Sequence, residues 1–222
     1  MTGRSAPAVL PSSLRAWLGL IAGLAALVVV VLGVLYAGHG EPGGVDRWIV
    51  RPTADSVQPP WRRVALAADF LGEPVGAAAL VVAAVTGCLL LRRPRAAVFV
   101  VAGAGISVGV ATLIKSLVER TIHGAGNLSY PSGHTAFFTA LALVLALLAT
   151  GRLGLGRSAG TMFVLAAALV AGATMGWAQV ALGAHYPTDV LGGWCTALAV
   201  IPATAWLVDR TADQLVDWRE RR

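Results

Sequence analysis

Long apolar runs separated by short polar loops make up most of this chain from residue 17 onward. Spanning the hydrocarbon core of a membrane takes about 20 consecutive, mostly apolar residues in a helix. Six segments meet this requirement, so the pattern predicts an all-α integral membrane bundle of six helices that forms one domain, 17–208. The predicted spans are 17–37, 72–91, 96–118, 133–150, 159–181 and 187–208.

Composition supports a membrane protein and argues against a soluble domain. Hydrophobic residues make up 57% of the chain and charged residues only 13%, a balance outside the range of ordinary globular domains. The net charge of +6 is compatible with nucleic-acid binding, but the arginines flank apolar runs instead of forming one basic face. The sequence therefore predicts membrane lipids and no nucleic acid as partners, and it leaves the oligomeric state open.

The arginines also predict the orientation of the bundle. Short loops rich in arginine stay in the cytoplasm, and arginines precede the first predicted span and follow the second, fourth and sixth. Both termini of this multi-pass cell-membrane protein are therefore predicted to be cytoplasmic, and the loops after spans one, three and five face outward. A cleaved signal peptide is the alternative for the first span, but its apolar run of about 20 residues exceeds the usual 7–15.

Three segments outside the spans differ in composition from the rest. Residues 1–16 contain prolines and small polar residues and are predicted to be a disordered cytoplasmic segment. Residues 209–222 alternate acidic and basic side chains, which predicts a solvated helix or tail on the cytoplasmic side. The long outer loop 38–71 mixes aromatic residues with arginines, as is typical of a membrane surface. A short amphipathic helix near 59–70 that lies on the outer leaflet is one interpretation, and a plain solvated loop is the other.

Several of the rare polar residues lie at outward ends of predicted spans. Lys115, the only lysine in the sequence, lies near the end of the third span, and its ammonium is a compact charge suited to phosphate. Ser132 is a good cap for the fourth span, which starts with Gly133 and His134. The N–H groups at such a helix start cradle phosphate oxygens, and glycine lets the backbone approach them closely. Capping explains the serine and the glycine but not the histidine.

His185 and Asp189 form a second candidate pair. Pro187 at the first helical position begins the sixth span and places Asp189 in its first turn. The carboxylate then reaches back toward His185, where it fixes the tautomer and leaves the other ring nitrogen free as a nucleophile. The alternative is structural, since an acidic residue in a first helical turn stabilises the helix by itself. Taken together, the outward ends of spans three to six predict one phosphate-sized site.

The order and spacing of these residues resemble the type 2 phosphatidic acid phosphatase family over roughly residues 72–208. The three motifs of that family are Lys-x6-Arg-Pro, Pro-Ser-Gly-His and Ser-Arg-x5-His-x3-Asp. The second motif is complete at 131–134, and the third retains its histidine and aspartate. The resemblance implies that His185 attacks phosphorus to form a phosphohistidine, that Asp189 orients it, and that His134 protonates the leaving oxygen. Water then releases phosphate.

The first and third motifs depart from the family pattern. Ile122 and His123 stand in place of Arg-Pro, and Ala178 and Gln179 stand in place of Ser-Arg, so two phosphate-binding arginines are missing. A lost transition-state donor costs on the order of 10²–10³ in rate, and Arg120 and His123 are candidate substitutes. The predicted substrate-binding residues are Lys115, Arg120, His123, Ser132, Gly133 and Gln179.

The sequence thus predicts an enzyme that hydrolyses a lipid phosphate or diphosphate at the outer face, with a polyprenyl or glycerolipid tail. No metal or cofactor is predicted, since Cys88 and Cys195 lie in apolar spans without metal-ligand spacing. A transferase that passes the phosphoryl or headgroup to another acceptor remains open. So does a catalytically silent protein that binds lipid phosphate, to which Ile122 and Gln179 point. A transporter fits least, because charged residues deep within the spans are not evident.

Overall fold

The computed structural model describes residues 7–221, and most of this part of the chain is helical. The predicted all-α fold is therefore confirmed. A short 3-10 turn at Ser12–Leu14 precedes eight α-helices in these residues: α1 (Arg15–Tyr36), α2 (Gly44–Ser56), α3 (Trp61–Gly72), α4 (Pro74–Leu90), α5 (Pro94–Val118), α6 (Gly133–Leu153), α7 (Arg157–Ala181) and α8 (Pro187–Glu220).

Five of the helices within residues 7–221 are long and apolar enough to cross a membrane, namely α1, α5, α6, α7 and α8. Helices α3 and α4 pass the same test only as a pair, with a bend of 65° between them. The bend follows from the sequence, because a residue before proline avoids the helical conformation and proline is favoured at a helix start. Glu73 is accordingly extended, and Pro74 begins α4. Counting the bent pair as one span gives the six that the sequence predicts.

Helix α8 lies at the centre of the bundle, where it packs against α1, α5, α6 and α7. Glycines allow close packing around it, as two of them show. A methyl group at Gly103 of α5 would lie 2.8 Å from the side chain of Val144 and 3.1 Å from that of Ile201. A methyl group at Gly193 of α8 would overlap the carbonyl of Ser132 at the start of α6. The second glycine therefore lets α8 touch the backbone that begins α6.

The structure differs from the prediction near the start of the chain. Of the segment predicted to be disordered, residues 1–6 lie outside the described residues, but Val9 and Leu10 are buried. Their N–H groups donate to the carboxylate of Asp209 at 2.9 and 3.0 Å, and Arg95 lies 3.3 Å from the same carboxylate. Asp209 is buried because these donors satisfy it. At the other end of the chain, the segment predicted to be a solvated helix or tail continues α8 as far as Glu220.

Two helices occupy the long loop between the first and second spans. Helix α3 lies where the sequence predicted a helix near 59–70, and it packs against α6 and α7. Helix α2 was not predicted, because it contains Pro52 and proline normally interrupts a helix. It packs on α7 and α8. The contact of α3 with the membrane surface and the sidedness of the bundle stay predictions.

Candidate active site

Hydrogen bonds and ion pairs join most of the predicted site residues at one end of the bundle. The N–H of Ser132 donates to the carbonyl of Asp189 at 2.9 Å, which ties the start of α6 to the first turn of α8. The α5–α6 loop and the α7–α8 turn complete this end of the bundle, and α2 and α3 pack beside it. Among residues 7–221, no three or more histidine, cysteine or acidic side chains are grouped so as to hold a metal ion.

His185 lies in the turn between α7 and α8 and faces Asp189. Its Nδ1 is 3.7 Å from Oδ2 of the carboxylate, a separation longer than a hydrogen bond. The same oxygen accepts the N–H of Tyr186 at 3.0 Å, which holds the carboxylate in place. Asp189 is thus positioned to orient the imidazole through Nδ1 and to leave Nε2 for a substrate.

Burial lowers the pKa of His185 below the ordinary histidine value of 6.5, because the charged imidazolium is deprived of water. The Asp189 carboxylate opposes this shift, whereas the positive charge of Lys115 adds to it. The ring is therefore neutral at physiological pH. A neutral imidazole retains the lone pair that a nucleophile requires.

Arg120 is fully buried and has its charge balanced within the protein. Its guanidinium donates to Oδ1 of Asp189 and to Oδ2 of Asp46, both at 2.7 Å. It also lies over two aromatic rings, at 4.0 Å from the centroid of Tyr36 and 4.7 Å from that of Tyr186. Two carboxylates and two ring faces surround the group. Arg120 is placed to fix Asp189 and not to contact a phosphate in the open part of the site.

Sequence reasoning missed Asp46, which completes this cluster. The residue lies in the first turn of α2 and is fully buried. Besides Arg120, it binds the N–H groups of Gly43 and Thr188, each at 3.0 Å. A local signal was present, since an acidic residue in a first helical turn stabilises the helix start. Nothing in the sequence, however, linked α2 with Arg120 or with the start of α8.

Lys115 supplies positive charge near the nucleophile. Its Nζ donates to the carbonyl of Leu128 at 2.8 Å and lies 3.4 Å from that of Ser129. The chain turns back over the lysine because Glu119, directly after α5, has a left-handed backbone with φ of 53°. In the part of the chain that the structure describes, no carboxylate lies within 4.0 Å of this ammonium. Its charge therefore stays available to an anion.

The Pro-Ser-Gly-His segment forms the start of α6. Ser132 is its N-cap and accepts the N–H of Thr135 at 3.3 Å. A methyl group added to Gly133 would meet no atom within 4 Å, so open space lies beside this helix terminus. His123 is exposed, and its Nε2 lies 2.7 Å from the carbonyl of Gly183, where it joins the α5–α6 loop to the α7–α8 turn. The open space beside Gly133 is compatible with an anion at the start of α6.

His134 faces helix α3. Its Nε2 lies 3.6 Å from Oδ1 of Asp69, and the same oxygen accepts a hydrogen bond of 2.6 Å from the amide of Gln179. Gly72 at the end of α3 makes room for the imidazole, since a methyl group there would overlap the ring. Sequence reasoning missed Asp69, because the packing of α3 against α6 and α7 could not be inferred from its composition.

A family model matches the region of the chain that contains most of these residues. The model described as the PAP2 superfamily matches residues 109–213, which include Lys115 and both histidine motifs. The predicted resemblance to the type 2 phosphatidic acid phosphatases is confirmed. Asp46 and Asp69 lie outside the PAP2 match, in the helices that precede it.

A solved structure extends the PAP2 likeness to most of the chain. It is described as the first transmembrane PAP2 type phosphatidylglycerolphosphate phosphatase from Bacillus subtilis, and it superposes with a TM-score of 0.67. The likeness covers 87% of this chain and 96% of that one, at 21% sequence identity. The chain therefore has the fold of a transmembrane PAP2 protein. No curated protein sequence matches the chain significantly.

Proposed function

We propose that this protein is a membrane phosphatase that hydrolyses a lipid phosphate or diphosphate through a phosphohistidine on His185. The observation that carries the proposal is the buried imidazole of His185, whose Nδ1 lies 3.7 Å from the buried carboxylate of Asp189. That carboxylate is itself held by Arg120 at 2.7 Å. An aspartate that only stabilised the helix start would need neither a buried histidine nor a buried arginine. The arrangement instead fits an oriented nucleophile.

In the first step, Nε2 of His185 attacks phosphorus while Asp189 holds the proton on Nδ1. The bond between phosphorus and the lipid oxygen breaks as the phosphorus–nitrogen bond forms. His134 gives its proton to the leaving oxygen, so that the lipid departs as an alcohol or, from a diphosphate, as a monophosphate. Lys115 and the N–H groups at the start of α6 balance the charge on the phosphoryl oxygens.

In the second step, water attacks the phosphohistidine. His134 is now neutral and accepts a proton from this water, and the phosphorus–nitrogen bond breaks to release inorganic phosphate. His185 and His134 return to their initial protonation states. No step uses a metal ion or an organic cofactor. The distribution of arginines along the chain supports a site at the extracytoplasmic side.

The charges around the site favour a substrate that needs few positive partners. Asp46 and Asp189 neutralise Arg120, which leaves Lys115 as the cation nearest to His185. The apolar bundle allows the lipid tail of the substrate to remain in the bilayer while its headgroup enters the site. Polyprenyl and glycerolipid phosphates, such as the phosphatidylglycerolphosphate named for the similar structure, both meet these requirements.

The test is phosphate release by the purified protein in detergent, with excess chelator present. The substrates are phosphatidic acid, phosphatidylglycerolphosphate, a polyprenyl phosphate and a polyprenyl diphosphate. We expect release from at least one of them, within about twofold of the rate without chelator, since general acid and nucleophilic groups are all supplied by side chains. Loss of release on chelation would contradict metal independence. Phosphoryl transfer to an added alcohol without release would indicate a transferase, and binding without either reaction would indicate a silent lipid-binding protein.

The low pKa of His185 predicts the pH dependence of kcat. As the pH falls through this pKa, the ring gains a proton and loses its nucleophilic lone pair, so kcat declines on the acid side. Because the pKa lies below 6.5, more than half of the maximal kcat is expected to remain at pH 6.5. Comparison of a monophosphate with a diphosphate separates this decline from ionisation of the substrate. An acid limb above pH 6.5 with both substrates would contradict the prediction.

A further inference from the structure

We propose that Asp69 of α3 positions the general acid, by holding Nε2 of His134 so that Nδ1 carries the proton to the leaving oxygen. The proposal rests on the proposed function, since it assigns an orienting group to the histidine that acts there as the acid. It concerns a residue that precedes the region matched to the PAP2 superfamily, 109–213. The contact between Asp69 and His134 would link helix α3 to the transfer of the proton.

The geometry of His134 leaves its two ring nitrogens in different surroundings. Nε2 is buried and lacks a hydrogen-bond partner among the described residues, whereas the side chain as a whole is 30% exposed. The Asp69 carboxylate lies 3.6 Å from this buried nitrogen. A buried polar nitrogen that points at a carboxylate calls for a proton between them. Nδ1 is then the nitrogen available to a substrate.

Gln179 fixes Asp69 without removing its charge. Its amide donates to Oδ1 of Asp69 at 2.6 Å, which is the same oxygen that faces His134. An amide is neutral, so the carboxylate retains its full negative charge for the imidazole. Gly72 places the end of α3 against the ring, because any larger residue there would overlap it. Three helices therefore converge on this contact: α3, α6 and α7.

The pair changes how a proton is delivered. The reactive form of His134 is the imidazolium, whose Nε2–H points to Asp69 and whose Nδ1–H points to the leaving oxygen. Proton transfer leaves a neutral imidazole that keeps Nε2–H, and Asp69 stays ionised throughout. In hydrolysis of the phosphohistidine, Nδ1 takes a proton from water and restores the imidazolium. The carboxylate both fixes the tautomer and favours the charged form of the ring.

Four charged or titratable groups face His134 from the surrounding elements. Asp69 on α3 and Glu73 at the α3–α4 junction are acidic, whereas Lys115 on α5 and His185 in the α7–α8 turn carry or accept positive charge. Glu73 makes no ion pair with His134 within 4.0 Å in the part of the chain described here, and its side chain does not cap α4. Glu73→Gln therefore removes one nearby negative charge without removing the contact.

The decisive experiment compares leaving groups. The purified full-length protein is assayed on a long-chain alkyl phosphate, whose alkoxide must be protonated to leave, and on a nitrophenyl phosphate with the same chain, whose phenolate leaves without an acid. In Asp69→Asn, kcat is expected to fall about 10- to 100-fold on the alkyl ester and less than about threefold on the aryl ester. Asp69→Glu is expected to recover part of the alkyl activity, and Glu73→Gln is expected to leave both within about twofold.

The outcomes separate this proposal from the proposed function. Equal losses on both esters, or losses confined to KM, would assign Asp69 a structural or binding role and overturn the proposal alone. If Asp69→Asn and Glu73→Gln lowered kcat equally, the loss would come from negative charge near His134 and not from the contact between Asp69 and His134. This result would also overturn the proposal. If the wild-type protein released no phosphate from either ester, the proposed function would fail and this proposal would fail with it. The melting temperature of each variant identifies one that has not folded.

Discussion

Replacement of His185 by alanine is expected to lower phosphate release from a lipid substrate by about 10⁴-fold or more, because removal of a nucleophile that acts with other groups abolishes the shared pathway. The residue is 9% exposed and its side chain ends beside Asp189. Alanine at this position leaves no group to bond to phosphorus. Measurement of released phosphate, together with acid-quenched trapping of a ³²P-labelled intermediate, tests both rate and mechanism. Neither phosphate nor trapped label is expected from the variant.

His39 provides a matched control for this substitution. It is exposed, a ring nitrogen lies 2.9 Å from the carbonyl of Ala37 and the ring packs edge-on against Tyr36, so its side chain contributes no group to the proposed chemistry. His39→Ala is expected to retain activity within about twofold, as is usual for surface changes. A His185→Ala variant that kept a tenth of the wild-type rate, or that still formed a labelled phosphoenzyme, would rule out His185 as the nucleophile.

Arg120→Met is expected to lower the free energy of unfolding by about 3–5 kcal/mol, the usual effect of breaking a buried ion pair. The substitution leaves Asp46 and Asp189 buried beside each other without the guanidinium that lies 2.7 Å from each. Arg120→Lys keeps the charge but cannot bridge both carboxylates with one planar group, so its stability is expected to be intermediate. Unfolding of detergent-solubilised protein by a denaturing detergent gives the comparison.

Arg157 at the start of α7 is exposed and serves as the control for this loss of a guanidinium. Arg157→Met is expected to change the free energy of unfolding by no more than about 0.5 kcal/mol. If the free energy of unfolding of Arg120→Met were within about 1 kcal/mol of that of the wild type, the two aspartates would have to be neutralised in some other way. The assignment of Arg120 as the residue that fixes Asp189 would then be wrong.

The spans and the histidine motifs could be predicted from sequence because both are local properties of the chain. About 20 apolar residues suffice to mark a membrane helix, and a proline or a capping serine marks the residue where it begins. The sequence therefore predicted His134 and His185 at helix starts. The bend at Glu73 and Pro74 follows from the same kind of rule, although its angle of 65° does not.

The partners of these residues could not be predicted, because they come from distant segments. Asp69 reaches Gln179 across 110 residues, and Asp46 reaches Thr188 across 142. Arg120 stands near the position where the family has a phosphate-binding arginine, so sequence reasoning assigned it to phosphate. Only tertiary packing places the carboxylates of α2 and α8, and aromatic rings from α1 and the α7–α8 turn, around it. Burial of an ionised group depends on its tertiary partners, which composition does not reveal.

The contacts of Asp46 have a consequence for biosynthesis. Because the chain is synthesised from its N-terminus, α2 is made long before Arg120. The first turn of α8 is made last, and its Thr188 and Asp189 complete the cluster around Arg120. The Asp46 carboxylate must therefore remain hydrated until the later segments arrive, since an unpaired charge is too costly to bury. Insertion of the last helix brings His185, Asp189 and the final partners of Arg120 together, so a chain that ends before α8 lacks the pair proposed to form the phosphohistidine.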